Sequence, residues 1–443
     1  MRSFERLISD TTVPAEAAVV VVGGGIIGAM AAYLLAKEGV SVVIVEKGEI
    51  GGEQSSRNLG WCRTLGRAPV EIPLFLESRA AWRGLDAEIG GDTGFRRRDV
   101  FTLCETDAEM AVHADWLRSV ASYGLDATLL DRNQLTRLLP GLSKRYRGAL
   151  YAPGDGCAEP LLATVAIARA ARARGATILT GCAVRGIERV GRAVAAVVTE
   201  RGRIACDKIV VAGGAWSRLL CGSFGVNFPQ LKVHSTALRT GPVAGGPQAM
   251  VASSQFGVSP RIDGGYTVSS PRAYAEIVPD SFRLFRDYLP ALREQPGMRL
   301  SLGARFGREL IGPRCWPLDR PSPFERERTI DPAPRPSVVR HAIEAVGNAF
   351  PGFRHAAMRE SWAGLIDVTP DSLPIISAVD DFEGLFLATG FSGHGFGMAP
   401  GAARAVIDLA QGRAPASDLA PFSLARFVRR RGGLILSQEI CHD

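Results

Sequence analysis

Gly23, Gly25 and Gly28 have the spacing G-x-G-x-x-G, and Glu46 follows them. In such a pattern the first glycine permits a tight turn, and the second lets backbone approach a pyrophosphate. The third glycine allows a helix to pack closely on a sheet, and an acid about twenty residues later can accept hydrogen bonds from ribose hydroxyls. These residues therefore predict a site for a dinucleotide.

The surrounding sequence predicts the elements that would position these residues. Val19 to Val22 are β-branched and favour a buried strand. A helix is expected from Ile26 to Lys37, with its unpaired N–H groups and its positive dipole end directed at the phosphates. A second buried strand, Ser41 to Val45, would present Glu46. The complete order of strand, glycines, helix, strand and acid is far more specific than the glycines alone.

The stretch from Ala17 to Ala36 carries no charge and is long enough to suggest a membrane span. Three consecutive glycines, Gly23 to Gly25, argue against one continuous helix, since each costs about 1 kcal/mol relative to alanine. A secretory signal is also disfavoured, because no small-x-small cleavage site followed by polar sequence precedes the next strand. We therefore expect a turn inside a folded domain.

The composition is typical of a globular enzyme, with 46% hydrophobic and 22% charged residues in a chain of 443. This length predicts two domains. The net charge of +7 comes from scattered arginines, with runs at residues 96–98 and at Arg426, Arg429, Arg430 and Arg431. Such runs usually lie on a solvated face; the alternatives are contact with anionic lipid and a field that attracts anionic substrates. No aromatic residues alternate with the bases, so no nucleic-acid partner is expected.

The cysteines give no indication of a metal site. Eight are present, at positions 62, 104, 157, 182, 206, 221, 315 and 441, without a C-x-x-C pair or metal-ligand spacing. Most are expected to be small buried residues in a reducing compartment. With no targeting segment, the chain is predicted to be cytoplasmic, and peripheral contact with the inner face of a membrane is the alternative.

Strand and helix signals alternate at both ends of the chain, and strand-rich sequence lies between them. Helices are predicted after Pro73 and over residues 162–175. Short strands are predicted over residues 176–180, 184–190, 193–200, 203–205 and 209–212. Asp263-Gly264-Gly265 indicates a hairpin within residues 258–270.

This alternation predicts a discontinuous cofactor-binding domain with a substrate domain inserted into it. The cofactor-binding domain is predicted to comprise residues 1–85, 150–225 and 350–443. The substrate domain is predicted to comprise residues 86–149 and 226–349.

A second glycine-rich turn occurs near the C-terminus. The residues from Gly384 to Thr389 indicate a buried strand, Gly390-Phe-Ser-Gly-His-Gly-Phe396 a turn, and the residues around Gly401 a helix. The N-terminus of such a helix can stabilise negative charge that develops on a heterocycle.

Together these motifs resemble the D-amino-acid-oxidase-like superfamily of flavoproteins, which includes glycine oxidase and sarcosine oxidase. The resemblance covers nearly the whole chain. Besides the N-terminal glycines, it is carried by Glu53 to Arg63, Ala212 to Ser217, Trp362 to Asp371 and Gly390 to Phe396. It implies an α/β (α+β) fold, in which a Rossmann-like FAD-binding domain carries an inserted, mainly antiparallel β-sheet substrate domain.

The resemblance also implies which residues bind FAD. Glu46 would hold the adenosine ribose, Ser55 and Ser56 the pyrophosphate, and the backbone of Val184 the adenine. The full predicted set is Gly23, Gly25, Ile26, Ile27, Gly28, Glu46, Lys47, Ser55, Ser56, Leu59, Gly60, Trp61, Val184, Gly213, Trp216, Gly393, His394, Gly395, Phe396, Gly397 and Met398.

Residues 59–61 would line the isoalloxazine, and residues 393–398 would cover its pyrimidine end. Two positions depart from the pattern of sarcosine oxidases. Those enzymes have a lysine where this chain has Gly397, which leaves the activation of oxygen there open. They also link FAD to a cysteine, whereas the neighbourhood of Ala363 has none, so non-covalent FAD is expected.

The activity implied by the resemblance is oxidation of the C–N bond of a small amino acid to an imine, by hydride transfer to flavin N5. The expected substrate is a D-amino acid, or a secondary or cyclic one of the proline or N-alkyl type. Oxygen or a quinone would accept the electrons. The alternatives are a membrane-docked quinone-reducing dehydrogenase of the same family and an FAD-binding subunit of a hetero-oligomeric amine dehydrogenase.

A planar arginine can bind a substrate carboxylate through two parallel hydrogen bonds. Arg63 is the first candidate, because it directly follows the predicted flavin-lining segment; a surface ion pair is its alternative. Arg261 and Arg272 flank the predicted hairpin, and Tyr266 could close the pocket, although structural roles are favoured for all three. His394 is either a catalytic base or, as we favour, a structural residue of the flavin loop.

Overall fold

The structure is a computed structural model that describes residues 6–294 and 298–430. Arg431 and Cys441 lie outside the described residues, as do the side chains of Arg429 and Arg430, so most of the predicted C-terminal arginine run is not described. Arg426 forms an ion pair with Asp371, at 2.9 Å between Nε and Oδ2.

The described residues form thirteen α-helices and twenty strands. The helices are α1 Ile26–Lys37, α2 Ile72–Ile89, α3 Asp107–Ser119, α4 Arg132–Leu138, α5 Pro160–Ala173, α6 Ser217–Ser223, α7 Pro279–Arg283, α8 Phe285–Glu294, α9 Arg305–Ile311, α10 Pro323–Arg326, α11 Pro336–Ala349, α12 Gly395–Ala410 and α13 Ala425–Arg430. The strands are β1 Val19–Val22, β2 Val42–Val45, β3 Trp61–Cys62, β4 Arg96–Cys104, β5 Thr128–Asp131, β6 Gly148–Cys157, β7 Thr177–Leu179, β8 Val184–Val190, β9 Ala193–Thr199, β10 Gly202–Ala205, β11 Lys208–Val211, β12 Leu231–Thr240, β13 Met250–Ala252, β14 Gly257–Pro260, β15 Tyr266–Ser269, β16 Tyr274–Ile277, β17 Arg299–Leu302, β18 Met358–Val368, β19 Ile375–Ala378 and β20 Leu385–Thr389.

The predicted N-terminal strands lie in a six-stranded sheet with the order β19-β20-β11-β1-β2-β7. Neighbouring strands are parallel except β19, which is antiparallel to β20. Val19 and Val21 of β1 pack among the residues of α1, α5 and α12. Val20 and Val22 point to the opposite face, where they pack against β8 to β10. Both faces are covered, which explains the unbroken valine run.

The turn between β1 and α1 requires its glycines. Gly23 has a φ of +112°, a conformation that residues with a side chain rarely adopt. A Cβ atom on Gly28 would lie 2.0 Å from the carbonyl oxygen of Gly23. The helix can therefore begin directly at the end of β1 only because both positions are glycine.

A larger sheet contains eleven strands and is mainly antiparallel. Its main path has the order β17-β16-β12-β15-β14-β13-β4-β6-β3, and in addition β18 pairs with β12 and β5 with β6. The predicted hairpin is formed by β14 and β15, which pair in antiparallel register. A parallel sheet covered on both faces beside a mainly antiparallel sheet agrees with the predicted fold class.

The predicted division into domains remains a prediction, and the sheets do not follow its boundaries everywhere. Strands β3, β6 and β18 pair within the larger sheet, although residues 61–62, 150–157 and 358–368 were assigned to the cofactor-binding domain. None of these three strands is among those predicted from the sequence, and their partners in the sheet are distant in sequence.

Among the described residues, no helix is both long enough and apolar enough to span a bilayer. The uncharged N-terminal stretch is divided between β1, the glycine turn and the twelve residues of α1. This division agrees with the turn expected from Gly23 to Gly25.

Helix α12 crosses β3 at a second position where only glycine fits. A Cβ atom on Gly397 would lie 2.7 Å from the carbonyl oxygen of Trp61 and 3.0 Å from the Cα atom of Cys62. The carbonyl of Gly397 accepts a hydrogen bond of 3.0 Å from Nε1 of Trp82. This contact sets the position of the helix N-terminus relative to β3.

We expect Gly397→Ala to destabilise the protein by about 2 kcal/mol or more, because β3 or α12 must shift to accept the methyl group. Gly84 provides a matched control, since it is also helical but a Cβ atom added there would have no neighbouring atom within 4 Å. Gly84→Ala should stabilise by up to about 1 kcal/mol. Thermal unfolding of the two variants measures the difference, and an unchanged Tm for Gly397→Ala would contradict the rigid crossing.

Candidate functional site

A cavity of about 480 Å³ lies where the strands of the six-stranded sheet end. Val22, Val45 and Ala212 line it at the carboxyl ends of β1, β2 and β11. Ser235 and Ser269 line it from the larger sheet. The cavity thus lies between the two sheets, at the edge where parallel α/β sheets bind ligands, and its volume is that of a small-molecule site.

Glu46 is held at the wall of this cavity by backbone. Its carboxylate accepts hydrogen bonds from the N–H groups of Gly24 at 2.6 Å and of Gly48 at 2.7 Å. Burial raises the pKa of Glu46, and the charge of Lys47 and the two backbone donors oppose that rise. A carboxylate with two further lone pairs in this position can accept hydrogen bonds from a ribose.

The N-terminus of α1 faces the same cavity. The helix has no side-chain cap at Gly25, and the N–H of Ile26 donates to Oγ of Ser55 at 2.9 Å. Uncapped N–H groups beside glycine backbone and a serine hydroxyl suit a pyrophosphate. The residues at this end therefore fit the adenosine diphosphate half of FAD.

Most of the predicted FAD-binding residues line the cavity. They are Gly23, Gly25, Ile26, Ile27, Glu46, Lys47, Ser55, Leu59, Trp61, Val184, Gly213, Trp216, Gly393, His394, Gly395 and Phe396. The other predicted residues, Gly28, Ser56, Gly60, Gly397 and Met398, lie behind the cavity wall. The hydroxyl of Ser56, for example, donates to the carbonyl of Glu53 at 3.1 Å. Their roles toward a cofactor remain predictions.

Two arginines that line the cavity form no ion pair with any carboxylate of the described residues. Arg63 lies over the ring of Trp61, with 4.7 Å from Cζ to the ring centroid, and Arg67 lies over Phe75 at 4.9 Å. The Nε atom of each is buried and without a hydrogen-bond partner. Burial and then the charge of Arg67 lower the pKa of Arg63 to about 9, so both guanidinium groups carry charge at neutral pH.

His394 lies beside these arginines at the start of α12. Its Nδ1 is 2.9 Å from Oε1 of Glu71, a carboxylate with no exposed surface. Burial, followed by the charge of Arg67, lowers the pKa of His394 and keeps the ring neutral at pH 7. A neutral ring that donates from Nδ1 leaves Nε2 as an acceptor. This geometry allows either of the two roles predicted for His394.

The structure places Arg261, Tyr266 and Arg272 away from the cavity lining. Arg261 pairs with the buried Glu159, at 3.0 Å between Nη2 and Oε2. Tyr266 packs edge-on against Phe353 in the core of the larger sheet. The reason is the pleat: Ser269 of β15 faces the cavity, and a residue three positions earlier on a strand points to the opposite face. These contacts favour the structural alternatives for Arg261 and Tyr266, and the roles of all three residues remain predictions.

Sequence reasoning missed several residues that line the cavity, among them Gln54, Arg57, Arg67 and Asp367. All four lie in or directly after the segments that carry the family resemblance, but their neighbours come from distant parts of the chain. Arg57, for example, donates from Nη1 to the carbonyl of Ala363 at 2.8 Å. No local pattern indicates such a contact.

Asp367 joins the end of β18 to the second glycine-rich turn. Its Oδ2 accepts hydrogen bonds from the N–H of Gly390 at 2.8 Å and from Nε2 of Gln230 at 3.2 Å, and Oγ1 of Thr389 lies 3.4 Å away. Its own N–H donates to Gln54 at 3.3 Å. Because only 2% of its surface is exposed, burial raises the pKa of Asp367 to about 6.

Comparison with known proteins gives a consistent result. The model of a family described as DAO, FAD dependent oxidoreductase, matches residues 18–409. Sarcosine oxidase subunit beta of Rhizobium meliloti (strain 1021) is 27% identical, over 93% of this chain and 88% of the relative. Glycine oxidase of Geobacillus kaustophilus (strain HTA426) is 27% identical, over 94% and 98%. The structure of L-amino acid deaminase from Proteus myxofaciens in complex with anthranilate has a TM-score of 0.92 and 32% identity, over 96% of both chains.

Asp367 generates a prediction about pH and stability. Burial raises the pKa of Asp367 from 3.8 to about 6, so the folded protein binds more protons than the unfolded chain within this window. Stability should therefore fall as the pH rises from about 4 to 6 and stay reduced above it. Asp367→Asn removes this loss and keeps an oxygen acceptor, so it should stabilise the holoprotein at pH 8 by at most about 3 kcal/mol.

Thermal unfolding at pH 4 and pH 8 tests this expectation, with no gain expected for Asp367→Asn at the lower pH. Asp381→Asn is the control, because that side chain is 90% exposed and should change stability by less than about 0.5 kcal/mol. A loss of stability in Asp367→Asn at pH 8 would mean that the three donors need the ionised carboxylate.

Proposed function

The chain belongs to the DAO family of FAD-dependent oxidoreductases, and on that premise we propose that it oxidises the C–N bond of an α-amino acid to an imine. Membership of this family confirms the predicted resemblance, the predicted fold class, the assignment as an enzyme and FAD as the cofactor. The family's amino acid oxidoreductases include glycine and sarcosine oxidases and an L-amino acid deaminase.

The observation that carries the proposal is the unpaired guanidinium of Arg63 in the cavity that fits FAD. A planar guanidinium binds an α-carboxylate through two parallel hydrogen bonds and fixes the orientation of the α-carbon. Its stacking on Trp61 fixes the direction of these donors before the substrate arrives. We therefore retain Arg63 as the carboxylate-binding residue.

Bound FAD supplies the acceptor for the hydride that leaves the carbon bearing the amine. The chain's residues position the substrate and exclude water: Leu59, Trp61, Leu365 and Phe391 give this part of the cavity an apolar wall. The amine loses one N–H proton as the C=N bond forms, and Nε2 of the neutral His394 is an acceptor in the same cavity. Water then hydrolyses the imine to a keto acid and ammonia, or to a primary amine where the substrate is N-alkylated.

The sequence favours a D-amino acid or a secondary or cyclic amino acid as substrate. The 32% identity and TM-score of 0.92 to a protein described as an L-amino acid deaminase support a different choice. We therefore place L-α-amino acids first and keep D-, N-alkyl and cyclic amino acids as alternatives. Arg63 serves each of them, because all carry an α-carboxylate.

Anaerobic bleaching of the flavin with L-, D-, N-methyl and cyclic amino acids tests the activity. At least one amino acid should reduce the flavin, and Arg63→Met should raise the KM for it by about 100-fold or more. Arg272→Met is the matched control, because Arg272 lies outside the cavity lining and should leave KM unchanged. Reduction by a hydroxy acid alone would contradict the proposal, and a yellow chain that no amine reduces would favour an FAD-binding subunit of a hetero-oligomer.

A membrane-docked, quinone-reducing dehydrogenase is the second candidate, supported by residues 279–294 and 298–312, which we call the arginine-rich segment. Its exposed large apolar side chains are Phe282, Phe285, Leu292, Leu300, Leu302, Leu310 and Ile311. Exposed arginines alternate with them, among them Arg283, Arg286, Arg299 and Arg308. Clustered apolar side chains among cations suit the surface of an anionic bilayer. At position 397, where sarcosine oxidases have a lysine, the chain has no room for a side chain.

Sedimentation with phosphatidylglycerol-containing vesicles tests this candidate. The full chain should bind at low salt, and the triple variant Phe285→Ser, Leu302→Ser and Ile311→Ser should bind about tenfold less. The matched control replaces three exposed apolar residues elsewhere, Ile8, Val112 and Val190, with serine. Equal losses of vesicle binding in the two variants would contradict docking through the arginine-rich segment. If both variants bind at low salt as the unmodified chain does and lose binding only at high salt, the C-terminal arginine run would be favoured instead.

A further inference from the structure

Arg67 presents a second guanidinium, which a bidentate pair between one α-carboxylate and Arg63 does not use. It lies in the same cavity as Arg63, and only 7% of its surface is exposed. Among the described residues, neither guanidinium forms an ion pair, and Nε of each lacks a hydrogen-bond partner. Each guanidinium offers five N–H donors and has no acceptor of its own. Such groups are costly to bury unless an anion pairs with them.

Two carboxylates, Asp155 and Glu71, act on these arginines through their charges, but both form hydrogen bonds with other groups. Asp155 accepts hydrogen bonds from the N–H of Thr64 at 2.9 Å and from its hydroxyl at 3.1 Å, and Arg79 lies 3.7 Å from it. It has no exposed surface. Its negative charge raises the pKa of Arg63 and of Arg67, but in the described part of the chain no ion pair joins it to either guanidinium.

Glu71 is engaged in the same way. Its Oε1 pairs with Nδ1 of His394 at 2.9 Å, and its Oε2 accepts from the N–H of Ala68 at 3.2 Å. Both oxygens therefore have other partners; the charge of Glu71 raises the pKa of Arg67, but in the described part of the chain no ion pair joins the two side chains. In the described part of the chain, Arg63 and Arg67 are thus two cations in one cavity without an ion-pair partner, and a bound ligand can supply one.

We infer that the substrate carries two carboxylates, one bound by Arg63 and the other by Arg67. The inference rests on the amino acid oxidation proposed above and specifies its substrate class: an acidic amino acid or an N-carboxyalkyl amino acid. A carboxylate that pairs with Arg63 through two parallel hydrogen bonds still has lone pairs, but it leaves Arg67 without a bidentate partner of its own. Two carboxylates satisfy both.

The aromatic partners of the arginines give each carboxylate a separate position. Arg63 stacks on Trp61, in the segment that lies next to the predicted flavin site, and so binds the α-carboxylate near the reacting carbon. Arg67 lies over a different ring, that of Phe75 of α2, and binds the distal carboxylate. Stacking on the rings fixes the orientation of both guanidinium groups before the substrate binds. Little side-chain entropy is therefore lost when the second carboxylate binds.

Substrate pairs that differ in the second carboxylate test the inference in the holoenzyme. Aspartate is compared with its isostere asparagine, and glutamate with glutamine, as both enantiomers, and iminodiacetate is compared with N-methylglycine. The dicarboxylate of each pair should have a kcat/KM about 100-fold higher than its partner, because an amide or a methyl group leaves the charge of Arg67 unpaired. Equal values within each pair would overturn the inference while leaving the amino acid oxidation intact.

Substitution of each arginine separates the two positions. Arg67→Gln should lower kcat/KM for the dicarboxylate by about 100-fold and change that for its amide by less than about threefold. Arg63→Gln should lower both. If Arg67→Gln lowers both equally, Arg67 binds the α-carboxylate or the cofactor, and the inference fails. Arg67→Lys, which keeps the charge, guards against misfolding and should restore part of the preference.

Calorimetric titration with succinate and butyrate measures binding without turnover. The holoenzyme should bind succinate about 100-fold more tightly than butyrate, and Arg67→Gln should abolish the difference. This result would support the two-carboxylate site even if no amino acid reduced the flavin, in which case only the proposed activity would fail. Equal binding of the two acids would overturn the inference whatever the enzyme's activity.

Discussion

The N-terminus of α1 lies at the end of β1 because Gly28 has no Cβ atom to collide with the carbonyl of Gly23. Any side chain there would push the helix away from the sheet. The uncapped N–H groups of the helix would then no longer face the cavity that Glu46 and Ser55 also border. The electrostatics of the phosphate site thus depend on a steric constraint, and no basic side chain is required to create it.

The same kind of constraint recurs at the other end of the cavity. Helix α12 approaches β3 closely because position 397 is glycine, and His394 at its start contacts Glu71. Asp367 then joins the strand β18 to the turn before this helix, through its hydrogen bond with Gly390. The two sheets are therefore held together at the cavity itself. A shift of either sheet would break buried hydrogen bonds whose partners have no access to water.

The parts of this arrangement that depend on neighbours in sequence could be predicted, and those that depend on distant partners could not. The valine run, the glycine turn and α1 follow from local rules, and their predicted bounds agree with the structure within one residue. The hairpin of β14 and β15 follows in the same way from Asp263-Gly264. By contrast, no strand was predicted at β18, whose partner β12 lies more than a hundred residues earlier.

The residues of the candidate site also fall into those that local sequence predicts and those that depend on distant partners. The glycines, Glu46 and Ser55 could be predicted because backbone chemistry fixes their types and spacing. Tyr266 and Arg261 were attractive candidates by residue type, but the pleat of β15 turns Tyr266 into the core, and Glu159 engages Arg261. Arg67 could not be predicted because its burial without a hydrogen-bond partner at Nε is not visible in the sequence. Asp367 could not be predicted because its partner Gln230 is distant in sequence.

The two ends of the cavity provide positive potential for anionic groups in two different ways. At the α1 end, backbone N–H groups and a helix dipole supply positive potential without any mobile charge, which suits a cofactor that stays in place. At the other end, Arg63 and Arg67 supply full charges on side chains stacked against rings. Burial lowers the pKa of Arg63 only to about 9, so this positive potential does not change with pH in the neutral range. Between these anion-binding groups lie His394, whose ring is neutral at pH 7, and Asp367, whose pKa burial raises to about 6. Protonation of the reacting groups can therefore change without releasing the carboxylate that holds them in position.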